Sequence, residues 1–320
     1  MRRILLSLII LLMSVLALSS FGAGQRIGRL FNDRIVVAGE YSGFCQDREG
    51  YVWIGTSKGL LRFDGNSYDI YRHEDSASGS ISDNRILGVM CDSKGRVWVA
   101  TANGLNLYQA TEDNFKVISL PGRDFFGYII GIAEQLDGTV TFVASGIGLY
   151  VVADDSGEPV AVKYFGGDME KDINTIVCGP KGRIYMGTRD GRLHIMASNG
   201  KVTTMNVSGG AYIRALAVEA DGNVLVSTLS DLYRLYPDSR ELRRLAIDGD
   251  ISIRNLSNAA GSDIYIATSG QGLWRIGAGS DDAARCTDIY CPFMKIETAK
   301  IGAVYNSPDG NLWLGCDYKG

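Results

Sequence analysis

Seven positions spread through the chain carry the residue types that could hold a ligand: Glu40, Arg85, Tyr128, Asp172, Tyr212, Ser252 and Lys300. Each stands ten residues before a recurring turn position and one residue before a residue suited to a buried strand, Ile in six of the seven copies. Charges of both signs alternate with two tyrosines. That chemistry suits recognition, because flat rings stack on sugar faces while charged groups hydrogen-bond hydroxyls. Arg214 and Arg254 lie just inside two of these positions and add donors. The plainer account is that residues just outside a strand tend to be polar. Among these groups Arg85, Tyr128 and Tyr212 are the expected ligand contacts, with Glu40, Asp172, Lys300, Arg214 and Arg254 around them.

Catalytic chemistry has a thinner inventory. The only two histidines, His73 in YRHEDSASGS and His194 in RLHIM, are more than a hundred residues apart and read as a solvated loop residue and a strand residue with a local partner. Asp-x-x-Gly at Asp47 and Asp92, and Asp-Gly at Asp137, Asp221 and Asp309, lack the alternating oxygen ligands and distal Glu of a calcium loop. Turn chemistry accounts for them, since Asp tolerates turn geometry and Gly supplies positive φ. No Cys/His spacing suits zinc, no phosphate-cradling glycine loop leads a strand into a helix, and no nucleophile elbow is present. The chain is therefore expected to have no catalytic residues, no metal and no cofactor.

What must position the polar ring is a repeat. The stretch DREGYVWIGTSKGLLRF, from Asp47 to Phe63, returns as DSKGRVWVATANGLNLY from Asp92 to Tyr108 and in weaker copies to the end of the sequence. Turn positions at Gly50, Gly95, Gly138, Gly182, Gly222, Ser262 and Gly310 are spaced by 45, 43, 44, 40, 40 and 48 residues. A period in the low forties holds four short strands and their turns, which is the blade of a β-propeller; leucine-rich repeats are shorter, and the periodicity of helical repeats is absent. Three residues past the turn come Trp53, Trp98, Thr141, Tyr185, Leu225, Tyr265 and Trp313, and six past it Thr56, Thr101, Ala144, Thr188, Thr228, Thr268 and Cys316. The Trp positions, and the Ile positions nine residues before the turn, read as core between blades, because a small twisted sheet has two apolar faces and stacking around a ring covers both. First strands lie innermost in a propeller, so the polar positions should ring one mouth of the central channel. The fold expected is all-β, with about seven four-stranded blades. The sequence stops inside the seventh copy, before its third and fourth strands, and so reads as a piece of a longer protein. The stretch from Ile27 to Val37 is a candidate outer strand.

Arg2 and Arg3, an apolar run from Ile4 to Leu18 and small residues around Ser19 to Gly24 read as an export signal, too short to span a bilayer. Residues 1–24 are thus assigned to the signal and 25–320 to the propeller, outside the cytoplasm. With 32 basic against 36 acidic residues and no basic run, a nucleic-acid surface is not expected. Of six cysteines, Cys45, Cys91 and Cys178 fall near the ends of first strands in different repeats and read as core thiols. Cys316 stands where other repeats have Thr, while Cys286 and Cys291 in ARCTDIYCPF are close enough to form a disulfide.

The segments YVWIGTSKGLLRFDG and GRVWVATANGLNLY closely resemble the two-component regulator propeller repeat, and the resemblance extends over about residues 30 to 320. The order of a signal segment, a repeat ending Phe-Asp-Gly and a stretch with Ser80, Ser82, Asn84 and Ile86 is similar to the beginning of the sensors that carry it. The resemblance implies the periplasmic sensor region of a hybrid two-component system, sensing an oligosaccharide or other small molecule and signalling to a histidine kinase half that is not in this sequence. It also implies a possible homodimer through the full-length sensor, and membrane attachment only through the signal segment or a later part. The competing expectation is a secreted propeller enzyme of the polysaccharide-lyase kind, or a free-standing binding protein. Propeller lyases of similar architecture depend on histidine, and no His stands near the repeat turns.

Overall fold

A computed structural model describes residues 40–119, 127–155, 158–165, 172–257, 263–289 and 295–316. The signal segment, the stretch from Ile27 to Val37 and Cys291 lie outside these residues. Among the described residues there is no α-helix, only strands, turns and short 3-10 turns. Blade 1 is β1 (Tyr41–Gln46), β2 (Val52–Thr56), β3 (Gly59–Phe63) and β4 (Tyr68–Tyr71), and blade 2 is β5 (Ile86–Cys91), β6 (Val97–Thr101), β7 (Gly104–Gln109) and β8 (Asn114–Val117). Blade 3 comprises β9 (Ile129–Glu134), β10 (Val140–Ala144), β11 (Gly148–Asp155) and β12 (Glu158–Phe165); blade 4 comprises β13 (Ile173–Gly179), β14 (Arg183–Thr188), β15 (Arg192–Met196) and β16 (Val202–Asn206). Blade 5 runs through β17 (Ala215–Val218), β18 (Val224–Ser227), β19 (Leu232–Tyr236) and β20 (Glu241–Arg244). The short β21 (Ala246–Ile247) then joins blade 6, formed by β22 (Ile253–Leu256), β23 (Ile264–Thr268), β24 (Leu273–Ile276) and β25 (Asp282–Arg285). A seventh, two-stranded sheet of β26 (Ile301–Asn306) and β27 (Leu312–Cys316) packs between blade 6 and blade 1. Every blade is an antiparallel meander; β21 alone adds in parallel, beside β25.

The repeat positions do the work the pattern assigned to them. Ile86, Ile129, Ile173, Ile213, Ile253 and Ile301 are all buried, as are Trp53, Trp98 and Tyr185. The recurring Thr braces the second hairpin. In blade 1 the Thr56 hydroxyl donates to the Gly59 carbonyl at 2.7 Å and accepts the Lys58 N–H, and Thr101, Thr188, Thr228 and Thr268 make the same pair of bonds in their own blades. The turn Asp has a second task. Oδ2 of Asp47 accepts the Trp53 indole N–H at 2.7 Å and that of Asp92 accepts the Trp98 indole at 2.8 Å, so each buried indole is satisfied six residues from its acceptor.

Adjacent blades meet by a rule that follows from strand alternation. The residue five before the turn position faces the next blade, and the residue four before it faces the previous one. Ala133 thus shares a core with Cys178, and Val177 with Val218. Tyr305 accepts the Gln46 N–H on its hydroxyl at 3.2 Å, and Gln46 also donates to Asp309, closing the seam between the seventh sheet and blade 1. Cys45 and Cys91 occupy the same two positions in blades 1 and 2 and form a disulfide, with Cα atoms 5.7 Å apart. The reading of both as core thiols is therefore corrected. They stand in different repeats, but their one-residue offset turns them toward each other, whereas Cys178 faces Ala133 and is a free thiol. Cys286 is buried and free, and its suggested partner Cys291 lies outside the described residues.

Blades 1 and 2 also share a cluster farther out. Trp53, Tyr71, Tyr108 and Phe115 pack with centroids 4.7–6.5 Å apart, and the Arg62 guanidinium lies 5.1–5.9 Å from the rings of Tyr51, Trp53, Tyr71 and Tyr108. Arg62 donates to Tyr108, Asp113 and Asp69, while the hydroxyls of Tyr71 and Tyr108 donate to Asp113.

Candidate functional site

The channel has two mouths: an upper one where the inner strands begin and a lower one where they end. The predicted ligand residues share a backbone position at the upper mouth. The carbonyls of Glu40, Arg85, Tyr128, Asp172 and Ser252 each accept the N–H of the residue that follows the second strand of their own blade, at 2.8–3.0 Å. Blade 5 departs from this pattern, with the Arg214 N–H donating to the Ser227 carbonyl instead.

A feature that the sequence pattern did not reveal sits next to this ring. In blades 1, 2, 4, 6 and 7 the pairing of the inner strand skips one residue just after the buried Ile or, in blade 1, the half-buried Tyr41, and blade 3 has the same irregularity. Such a bulge takes a residue out of the ladder, bends the strand and re-aims a side chain. Asn174 and Arg254 are the extra residues in blades 4 and 6. Asn174 accepts the Tyr212 hydroxyl at 2.7 Å and donates to the Ile213 carbonyl, fixing the tyrosine of blade 5 from blade 4. No local sequence signal marks Asn174, since its partner belongs to the next repeat.

The structure brings some predicted residues together and leaves others apart. The Arg85 guanidinium lies 5.9 Å from the centroid of the Tyr128 ring, pairing blade 2 with blade 3, and Tyr128 is 49% exposed, so its ring is open to a ligand. Arg214 lies 5.8 Å from the Tyr212 ring. Asp172 stands 3.8 Å from Arg192, whose main partner is Asp190 at 2.5 Å; that bond, with a hydroxyl from Thr188, holds the Asp190 carboxyl down at about 2. Glu40 and Lys300 are exposed and have no side-chain ion pair among the described residues. Arg254 is half-buried. The upper mouth thus offers two aromatic–arginine pairs, two acidic positions at Glu40 and Asp172, and hydrogen-bonding groups of both kinds.

Neither histidine belongs to it. His73 lies between β4 and β5 with its ring nitrogens on the Ile81 carbonyl and Asp75. His194 is buried in β15, with Nδ1 on Thr204 at 2.7 Å and, among the described residues, no hydrogen-bond partner at Nε2. Among the described residues no group of three or more His, Cys, Asp or Glu could hold a metal ion. No described helix is long and apolar enough to cross a membrane.

Residues 37–58 and 80–103 match the family model described as "Two component regulator propeller", so the first two blades carry repeats of that type. No curated protein matches the sequence. Among solved structures, the fold is similar to the extracellular domain of a hybrid two component system from B. thetaiotaomicron, with a TM-score of 0.72 at 19% identity over 87% of this chain and 40% of that one. A second such domain from the same organism gives 0.71 at 20% identity, covering 92% of this chain and 41% of that one. The chain therefore spans about two fifths of the length of these extracellular domains. Virginiamycin B lyase from Staphylococcus aureus gives 0.69 at 15% identity, over 88% of this chain and 92% of the lyase.

Proposed function

We propose that this chain is the ligand-sensing propeller of a two-component signalling protein, working outside the cytoplasm and without catalysis of its own. The observation that carries the reading is the match of its first two blades to two-component regulator propeller repeats, on a fold similar to extracellular domains of hybrid two component systems. The ligand proposed is an oligosaccharide at the upper mouth. Tyr128 offers an open ring face beside Arg85, and Tyr212 is held by Asn174 next to Arg214. Asp172, Glu40, Lys300 and Arg254 supply the surrounding polar contacts. Signalling passes to a kinase half of the full-length protein, in which a homodimer is the expected unit. Residues 1–24 act as the export signal.

Titration calorimetry against a panel of neutral oligosaccharides tests the reading, followed by the Arg85→Ala, Tyr128→Ala and Tyr212→Ala variants with the sugar that binds. Each variant should weaken binding more than tenfold, about 1.4 kcal/mol, with little change in melting temperature. Affinities within twofold of the parent for all three would remove the upper mouth as the site.

The likeness to virginiamycin B lyase, which covers nearly all of that enzyme, favours a lyase as the second reading. Another structure of the same enzyme is described as a catalytically inactive histidine-to-alanine variant with quinupristin. The two histidines here sit in a connecting segment and in a buried third strand. Incubation with quinupristin followed by mass spectrometry distinguishes the readings: an altered product mass supports the lyase, and unchanged quinupristin supports the sensor.

A further inference from the structure

The lower mouth, opposite the proposed sugar site, opens into a cavity of about 530 Å3 that spans both seams of blade 1. That volume lies within the range of about 300–1,000 Å3 typical of small-molecule sites. Its apolar side is formed by Phe44, Met90, the Cys45–Cys91 disulfide and the ring of Tyr305. Three carboxylates and one guanidinium also line it, and their partners decide what it can hold.

Asp92 is neutralised, with the Arg96 guanidinium at 2.6 Å. Asp47 and Glu134 are not. Asp47 accepts only neutral donors, the Tyr51 N–H at 2.9 Å and the Trp53 indole at 2.7 Å. Glu134 accepts the N–H of Ser93 at 2.9 Å and its hydroxyl. Among the described residues no Lys or Arg pairs with either carboxylate. Arg48 donates to the Ser93 carbonyl instead. Burial pushes the Asp47 carboxyl up, more than the hydrogen bonds from the Trp53 indole and the Tyr51 and Glu49 backbone lower it, as expected of a desolvated anion with no paired counter-ion. With Asp92 paired to Arg96, the wall carries two carboxylates against the single Arg48 guanidinium, and this excess of negative charge concentrates cations beside the apolar side chains of Phe44 and Met90.

We propose that the lower-mouth cavity binds a small molecule bearing a primary ammonium group, which Glu134 and Asp47 hold while its body lies against Phe44, Met90 and Tyr305. A ligand there touches residues of blades 1, 2, 3 and 7 together. It bridges the seam between blade 1 and the seventh sheet, where Gln46 meets Tyr305 and Asp309 and Phe63 packs against Trp313, and so tightens the ring where the seventh sheet is two strands wide. This site is independent of the oligosaccharide reading.

Calorimetry on the full chain with three primary amines, each beside a neutral counterpart, tests it: putrescine against butanediol, glucosamine against glucose, and phenethylamine against phenylethanol. At least one amine should bind ten times more tightly than its counterpart, more weakly as salt is added, and should raise the melting temperature. Glu134→Gln keeps an acceptor for Ser93 but removes the charge, and should lose tenfold or more in amine affinity, about 1.4 kcal/mol. Lys201→Ala, on the exposed edge of blade 4, should change nothing. Should Glu134→Gln not fold, Met90→Trp, which fills the cavity without touching a charge, carries the same expectation. No preference for any amine over its counterpart, or amine binding unaltered in the folded variant, overturns the proposal.

Discussion

Removing the disulfide between blades 1 and 2 is the sharpest test of how the ring is held. Cys45 and Cys91 are 46 residues apart, and closing a loop of that length removes denatured-chain entropy worth about 4 kcal/mol at 25 °C. The rest of the seam stays in place in a Cys45→Ala/Cys91→Ala variant, because Trp53, Tyr71, Tyr108 and Phe115 still pack around Arg62. Measured losses for native disulfides cluster near 2–4 kcal/mol, so a destabilisation of about 2–4 kcal/mol is expected. Urea unfolding followed by tryptophan fluorescence suits the measurement, since Trp53 and Trp98 are buried in blades 1 and 2. The midpoint should fall in the double variant, and the parent in reductant should match it. A non-reducing digest of the parent should contain Cys45 and Cys91 in one linked peptide. If all three samples unfold within about 0.5 kcal/mol of one another, the loop-closure reasoning fails, because a cross-link of this span must act on the denatured chain.

Other expectations concern buried charge and protons. Arg234 is 2% exposed and bonds Glu219 through two nitrogens at 2.6 and 2.7 Å, with Asp281 beyond, so Arg234→Met should cost about 3–5 kcal/mol by stranding a buried carboxylate. Glu219→Leu combined with Arg234→Met should recover most of that loss, and a thermal-unfolding double-mutant cycle that shows simple additivity would contradict the pairing. Burial holds the His194 imidazolium disfavoured, with its pKa below 6.5, so its contribution is present above that value and falls away on acidification; urea midpoints of His194→Gln should depend less on pH below 6.5 than those of the parent. Burial alone would raise the Asp92 carboxyl, but bonds from the Trp98 indole and the Arg96 N–H and guanidinium hold it below 3.8. Its stabilisation is therefore full above 3.8 and lost at lower pH, and Asp92→Asn should flatten the acid limb of the stability curve below pH 3.8. Circular dichroism of the chain without residues 1–24 should show strand with almost no helix.

The sequence by itself determined the blade, because everything that makes one is local. The turn, the two-residue alternation, the buried Trp or Tyr and the Thr that braces the next hairpin recur in one period and need no partner from elsewhere in the chain. It also determined where Arg85, Tyr128 and Asp172 stand, since a residue just ahead of an inner strand can only lie at that strand's mouth. Which faces meet was decided only in the ring. The Cys45–Cys91 link depends on a one-residue offset whose meaning appears once each blade is known to present alternate residues to its two neighbours. Glu219 replaces a turn Asp, and its partner Arg234 comes from the third strand of the same blade, a pairing set by sheet order. Bulges that take Asn174 and Arg254 out of the ladder, and a lower cavity built from blades 1, 2, 3 and 7, have no counterpart in any single repeat. Period and alternation are properties of a strand and are written in its residues; seams and channels are properties of how twisted sheets stack, and they exist only when the ring closes.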